Sequence, residues 1–158
     1  MARLQPIERN ITQEELKLVH QNFDLNTIDN NVIVQSAERL GYVIEAKKKL
    51  AGCSSGLAYM HEKDYTGWFY LSDLIVFNPY RKQGYGRMLL TSLEEKLNRL
   101  GIHKIYTWTA GYEAPGFYKK MGYVEFASME KWYSDGSPRV GFTKHLNAAD
   151  TSDLPIQS

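Results

Sequence analysis

Leu74-Ile75-Val76-Phe77 is an apolar, β-branched run that passes, after Asn78-Pro79-Tyr80, into Arg81-Lys82-Gln83-Gly84-Tyr85-Gly86-Arg87. A helix that opens at such a turn leaves its first N–H groups without intrahelical partners and aims them, with the positive end of its dipole, at one spot that favours phosphate. Gly84 and Gly86 remove side chains where a diphosphate could approach the main chain, and Arg81, Lys82 and Arg87 add mobile cations around it. Gly-rich strand-to-helix turns also arise for packing alone, so the pattern by itself leaves both readings open. Two other phosphate motifs are excluded, because neither the Gly-Lys-Ser/Thr of a Walker loop nor the Gly-x-Gly-x-x-Gly of a dinucleotide site is present.

The elements that must position this turn follow from apolar spacing. Thr12-Gln13-Glu14-Glu15 reads as a capping box that opens a helix over Thr12 to Asn26. Gly41 to Ala46 and Leu50 to Met60 read as two strands of an antiparallel hairpin. Lys47-Lys48-Lys49 is its solvated turn, the alternative being a phosphate patch. Trp68 to Phe77 is long, aromatic and β-branched, as a central strand should be. From Gly84 to Leu100, Met88, Leu89, Leu93, Leu97 and Leu100 recur at helical spacing, and Gly101 stops the helix. Ile102 to Thr109 is a strand, Ala114 to Met121 a short helix with Pro115 in its first turn, and Tyr123 to Ala127 and Val140 to Leu146 are the last strands. Strand-helix-strand over Trp68 to Thr109 is a crossover of the parallel kind. The expected fold class is α/β, or mixed α+β, in layers. Residues 1–146 are expected to form a single domain and 147–158 a polar tail.

Composition narrows the function. The chain has 158 residues, with 19 Lys+Arg against 18 Asp+Glu for a net charge of +1, so no nucleic-acid or anionic-membrane partner is expected and any pull on anions is local. No apolar run approaches the roughly 18 residues of a membrane span, and the N-terminus lacks a secretory core. With one cysteine, Cys53, no internal disulfide can form, and a cytoplasmic setting is expected. Cys53 is expected to be structural, since no His lies at a nucleophile's spacing from it, and the four histidines show no metal-ligand spacing.

Arg81-Lys82-Gln83-Gly84-Tyr85-Gly86 resembles the Arg/Gln-x-x-Gly-x-Gly/Ala signature of the GCN5-related N-acetyltransferase (GNAT) family. Phe117-Tyr118-Lys119-Lys120-Met121-Gly122-Tyr123 resembles that family's second motif, an aromatic-Tyr pair on a short helix followed by Gly-Phe/Tyr. The two stand in family order, one helix and one strand apart. The resemblance implies a mostly antiparallel central sheet with one parallel crossover, flanked by helices, and acetyl-CoA as co-substrate without a metal. Backbone groups of Leu74, Ile75 and Val76 would pair with the pantetheine arm. Main-chain N–H groups from Gln83 through Arg87 would hold the pyrophosphate, and Phe117 is a cofactor-binding candidate that reads otherwise as a core residue. Tyr118 matches the tyrosine that protonates the departing thiolate. Gly111 stands where many members carry a cofactor-holding Asn.

The implied reaction is direct attack of an amine on the acetyl carbonyl in a ternary complex. Asp73 and Glu113 are candidate bases, as is a water held by Tyr70 or Ser72. Plain strand alternation puts Tyr70, Ser72 and Leu74 on one face and Leu71, Asp73 and Ile75 on the other, so Tyr70 and Asp73 share a site only across a bulge. Tyr112 and the loop from Trp132 to Arg139, with Glu113, Glu125 or Glu130, could form an aromatic, acidic wall for a cationic amine. A small-molecule amine is the expected acceptor, ahead of a protein N-terminus or lysine. A non-catalytic acyl-CoA sensor is the rival from another class, and a homodimer would fit the family.

Overall fold

The computed structural model describes residues 3–146 and falls into two compact units, one ending at Gln35 and one beginning at Ser36. The expected tail, 147–158, lies outside the described residues.

In the first unit, helix α1 (Gln13–Asp29) begins with the capping box read from the sequence. Glu15 N donates to Thr12 Oγ1 at 3.1 Å and Thr12 N donates to Glu15 Oε2 at 2.8 Å. Arg9 adds a two-pronged contact to the same carboxylate at 2.8 and 2.9 Å, and these bonds hold Glu15 down at a pKa of about 2, Arg9 contributing most. The helix runs past the expected end at Asn26 because the Asn30 side chain caps the Asn26 carbonyl at 2.8 Å. Asn31, at φ 60°, then turns the chain away.

The second unit carries β1 (Gln35–Ala46), β2 (Lys49–His61), β3 (Asp64–Val76), α2 (Tyr85–Arg99), β4 (Lys104–Ala110), α3 (Pro115–Lys120), β5 (Val124–Met129) and β6 (Arg139–His145). They form a six-stranded mixed sheet in the order β1-β2-β3-β4-β6-β5. β3 and β4 pair in parallel, joined through α2, while β2 with β3, β4 with β6 and β5 with β6 pair antiparallel. This is the mixed architecture expected, with its single crossover. Two strands start earlier than the sequence suggests. β1 begins before Gly41 because its first residues, Gln35 to Arg39, are all exposed and carry no alternating apolar signal. β3 begins at Asp64, ahead of the expected Trp68, because the preceding turn sits at Glu62-Lys63, Glu62 taking φ 56°. Lys47 and Lys48 are the two-residue turn between β1 and β2, at φ 51° and 63°, which suits a primed hairpin turn.

Leu89, Leu90, Leu93 and Leu97 form the buried stripe of α2, and Leu90, Leu93 and Leu97 pack with Phe69, Leu71, Ile105 and Phe142 of the sheet. Met88 and Leu100, expected in that stripe, lie on its flanks and are 55% and 39% exposed, and Leu90 takes the inner position. A half-buried polar staple ties the end of α3 to this layer. Glu94 accepts from Lys144 Nζ at 2.9 Å and from the Tyr123 hydroxyl at 2.9 Å, and Lys144 also donates to the Met121 carbonyl at 2.7 Å.

The feature that opens the sheet is a bulge in β3. Ser55 pairs with Asp73 and the next residue, Gly56, pairs with Leu71, so Ser72 is the extra residue. Ser72 Oγ donates to Asp73 Oδ2 at 2.6 Å, which puts these neighbouring side chains on one face, while Leu74 turns to the core side with Leu71. Plain alternation therefore fails here: Tyr70, Ser72 and Asp73 share a face. On the other edge of β3 the parallel pairing runs from Trp68 and Lys104 only as far as Leu71 and Thr107. Beyond that point β3 and β4 diverge.

Candidate active site

The divergence encloses a cavity of about 960 Å³. One end is bordered by Arg81, Lys82 and Gly84 to Arg87, the middle by Leu74, Ile75 and Val76, and the other end by Ser72, Thr107, Trp108, Glu113, Phe117 and Tyr118. Of the residues expected at the site, Gln83, Tyr70 and Asp73 do not border the cavity, and neither do Glu125, Glu130 or the loop from Trp132 to Arg139; Asp73 stands behind Ser72.

Hydrogen-bond parity decides which backbone groups face the gap. Phe77 N donates to Ala51 O at 2.8 Å, so Phe77 and, two residues back, Ile75 spend their backbone groups on β2. Leu74 and Val76 point theirs toward the gap. Ile75, expected to pair with a ligand through its main chain, is thus corrected to a member of the β2 ladder. Val76 O is partly used as well, accepting from Arg81 Nε at 2.8 Å. Arg81 therefore ties the turn to the end of β3, and is not the freely mobile cation the sequence suggested.

At the turn, Lys82 (φ 60°) and Gly84 (φ 83°) both take left-handed conformations, and Gly84 caps α2 without any side-chain bond. The N–H groups of Tyr85, Gly86 and Arg87 follow with no intrahelical acceptor. Gly84 is required by its φ. At Gly86 a Cβ would meet only the Phe117 ring and Val76 Cγ2 at 3.8–3.9 Å, ordinary contact, so protein packing does not demand glycine there. An extended phosphate-bearing ligand lying between the turn and Phe117 would need that space left open. That open cradle, together with the unpaired edge of β3, fits an acyl-CoA.

Tyr118 closes the far end. It is 5% exposed, edge-on to Phe117 and Tyr123 at 5.5 and 5.4 Å and stacked on Phe142 at 5.7 Å. Burial pushes its phenol up to about 12; a hydrogen bond with the Thr107 side chain opposes this, and the charge of Glu113 adds to it. Thr107 in turn donates to Leu71 O at 2.8 Å, bridging the last parallel pair before the gap. Thr107 and Arg39, described below, were not picked out from the sequence. A Thr in a strand and an Arg outside any motif carry no signal until the register is known. Gly111, where the family resemblance implied an Asn, has no room for a side chain: a Cβ would lie 2.6 Å from Pro138 Cδ, and its N–H donates to Pro138 O at 2.7 Å. Of the expected acceptor wall, Tyr112 borders the cavity and stacks edge-on with Tyr133 at 5.2 Å. Arg139 lies between Trp108 and Trp132 at 5.2 and 5.4 Å, filling that aromatic clamp itself. Cys53 is half-buried with its thiol pushed up by burial and then by Asp73, as suits an inert residue.

The tyrosines predict an alkaline limit to stability. Burial raises the phenols of Tyr118, Tyr106 and Tyr123 in the folded state. Below pH of about 10 the phenols are neutral in both states and this contribution is complete. Above it the unfolded chain ionises first, so stability falls as pH rises from about 10 through 12. Melting temperature followed across that range should drop; a flat profile would contradict the burial assigned to Tyr118.

Among the described residues no group of His, Cys, Asp and Glu is arranged to hold a metal, and no helix is long and apolar enough to cross a membrane. Comparison with known proteins bears on the rest. Over 79 residues the chain is 34% identical to YyaT of Bacillus subtilis, and over 57 residues 33% identical to the L-ornithine N5-acetyltransferase NATA1 of Arabidopsis thaliana. These stretches cover 49% and 34% of this chain and only 50% and 25% of the two relatives, so the chain spans half or less of their length. In structure it matches an acetyltransferase from Bacillus cereus with a TM-score of 0.73 at 24% identity, covering 89% of this chain and 97% of that one, a likeness of fold. The model of the acetyltransferase (GNAT) family matches residues 8–123, and the chain accordingly belongs to that family.

Proposed function

We propose that the protein is an acetyl-CoA-dependent N-acetyltransferase that acetylates a primary amine of a small molecule by direct attack. The observation that carries this reading is the continuity of one cavity from the α2 N-terminus to Tyr118, past the open edge of β3. Main-chain N–H groups of Tyr85, Gly86 and Arg87, with the Lys82 and Arg87 side chains, would hold the pyrophosphate. Leu74 and Val76 would line up the pantetheine arm as a neighbouring strand would, leaving the thioester beside Tyr118 and Ser72. Acetyl-CoA supplies the activated acetyl group.

The residues then have to manage two protons. The amine sheds one as its C–N bond forms, and the sulfur takes one as its C–S bond breaks. Glu113 borders the cavity and can accept directly; Asp73 can accept through the Ser72 hydroxyl, which donates to it. At the sulfur, Tyr118 donates. With the phenol at about 12 and a thiol near 8.5, full transfer taken alone would run uphill by roughly 5 kcal/mol. Tyr118 therefore keeps its proton and works by donating a hydrogen bond as charge grows on sulfur, and the proton shed by the amine is the one that finally protonates the thiolate as the products leave. The NATA1 relative, named for acetylating an amino group of ornithine, supports a small acceptor. One unpaired cysteine suits a cytoplasmic enzyme.

The test is thiol release by purified protein given acetyl-CoA and a panel of small amines and peptides, with mass spectrometry of the acceptor. Release with a small amine, and an added acetyl group on it, is expected. Acetyl-CoA binding with no release from any acceptor would replace this reading with the sensor.

A further inference from the structure

We infer that Arg39 anchors a carboxylate on the acceptor, so that the preferred substrates are aliphatic amines carrying a carboxylate; this rests on the transferase reading above. Arg39 belongs to edge strand β1, yet its guanidinium reaches across β2 to the bulge of β3. Nη1 alone makes the contacts, donating to Ser55 Oγ at 3.0 Å, Ser72 Oγ at 3.2 Å and Asp73 Oδ2 at 3.4 Å. Nη2 and Nε have no hydrogen-bond partner among the described residues, and the side chain is 55% exposed. A guanidinium held by one nitrogen and open along its other edge is a fixed fork, and a planar carboxylate is the group that matches it.

Its neighbours agree. Ser72 borders the cavity where the amine must arrive, so the fork stands one side chain from the reacting end. On the same face Tyr70 stacks on Tyr106 at 4.9 Å, and the Tyr106 hydroxyl pairs with that of Tyr59 at 2.9 Å, giving a flat apolar flank for a carbon chain. Neutralising Asp73 does not exhaust Arg39. The two meet through one oxygen at 3.4 Å, both side chains more than half exposed, and the two-pronged geometry that a dedicated ion pair adopts is not used. A phosphate would bring a second negative charge close to Asp73, so a singly charged carboxylate suits the site better.

The experiment compares kcat/KM for L-lysine beside cadaverine, L-ornithine beside putrescine, and O-phosphoethanolamine beside ethanolamine, in the wild type, Arg39→Gln and Arg39→Lys. The wild type should favour the amino acids over their decarboxylated partners by about 10-fold or more, as a charged hydrogen-bonded pair supplies. Arg39→Gln should bring that ratio close to one, mainly through KM, and Arg39→Lys should fall between them because it keeps the charge and loses the fork. The KM for acetyl-CoA, measured with putrescine, reports whether each variant is folded. A ratio near one in the wild type, or one that Arg39→Gln leaves intact, overturns the anchor while the transferase reading stands. Preference for the phosphorylated amine overturns the carboxylate. No thiol release from any of the six, with acetyl-CoA bound, overturns the anchor, and the transferase reading falls only if the wider panel of amines and peptides also releases none.

Discussion

Tyr118→Phe should lower kcat by about 100-fold or more while changing acetyl-CoA affinity by less than about 3-fold, the range expected when a positioned proton donor is removed. The substitution isolates chemistry from structure because the ring keeps its packing on Phe117, Tyr123 and Phe142. What disappears is one hydroxyl, and its partner Thr107 keeps its bond to the Leu71 carbonyl, so the strand junction survives. Since the phenol is held near 12, it carries its proton throughout the neutral range. The wild-type rate should therefore show no alkaline fall assignable to Tyr118 until pH is well above 10. Single-turnover thiol release and equilibrium binding of acetyl-CoA, measured on the same samples, separate the two effects. Equal turnover in Phe and Tyr forms would remove Tyr118 from the leaving-group role.

The sequence carried the parts of this site that repeat locally. Arg81 to Gly86 is legible because a left-handed turn ahead of a helix needs glycine, and Gly84 indeed sits at φ 83°. Tyr118 is legible because a short helix bracketed by Pro115 and Gly122 carries it at a fixed distance from that turn. What was hidden depends on strand register, which no single segment encodes. Ser72 joins Asp73 and Tyr70 on one face only because Ser55 and Gly56 step across it, and Ile75 turns out to spend its main chain on β2 for the same reason. Arg39 lies 33 and 34 positions from Ser72 and Asp73 in sequence, and meets them only once β1, β2 and β3 are aligned. Met88 shows the same limit on a helix: its spacing fits the apolar stripe, but the sheet it meets selects Leu90.

Gly56→Ala should be the most damaging single-methyl addition in the sheet, lowering stability by about 3 kcal/mol or more and the melting temperature by roughly 10 °C. A Cβ on Gly56 would collide with the Tyr70 carbonyl oxygen and lie 2.7 Å from two atoms of the Phe69 ring. Neither neighbour can yield cheaply: the first is backbone inside β3, and Phe69 is fully buried against α2. Gly56 is also the residue at which the register steps from Asp73 to Leu71. Relief by moving β2 away would undo that step, return Ser72 and Asp73 to opposite faces and let β3 close toward β4. The variant should therefore lose acetyl-CoA affinity along with stability, although Gly56 borders no part of the cavity. Gly116→Ala is the matched control, since it adds the same methyl on α3 where nothing lies within 4 Å and φ is not left-handed. It should leave the melting temperature within about 2 °C of the wild type or raise it slightly. Thermal melts of both variants, with acetyl-CoA titrations at a temperature where each is folded, decide the matter. A Gly56→Ala protein that melts with the wild type and binds acetyl-CoA equally would mean that the bulge at Ser72 is not what holds the gap open.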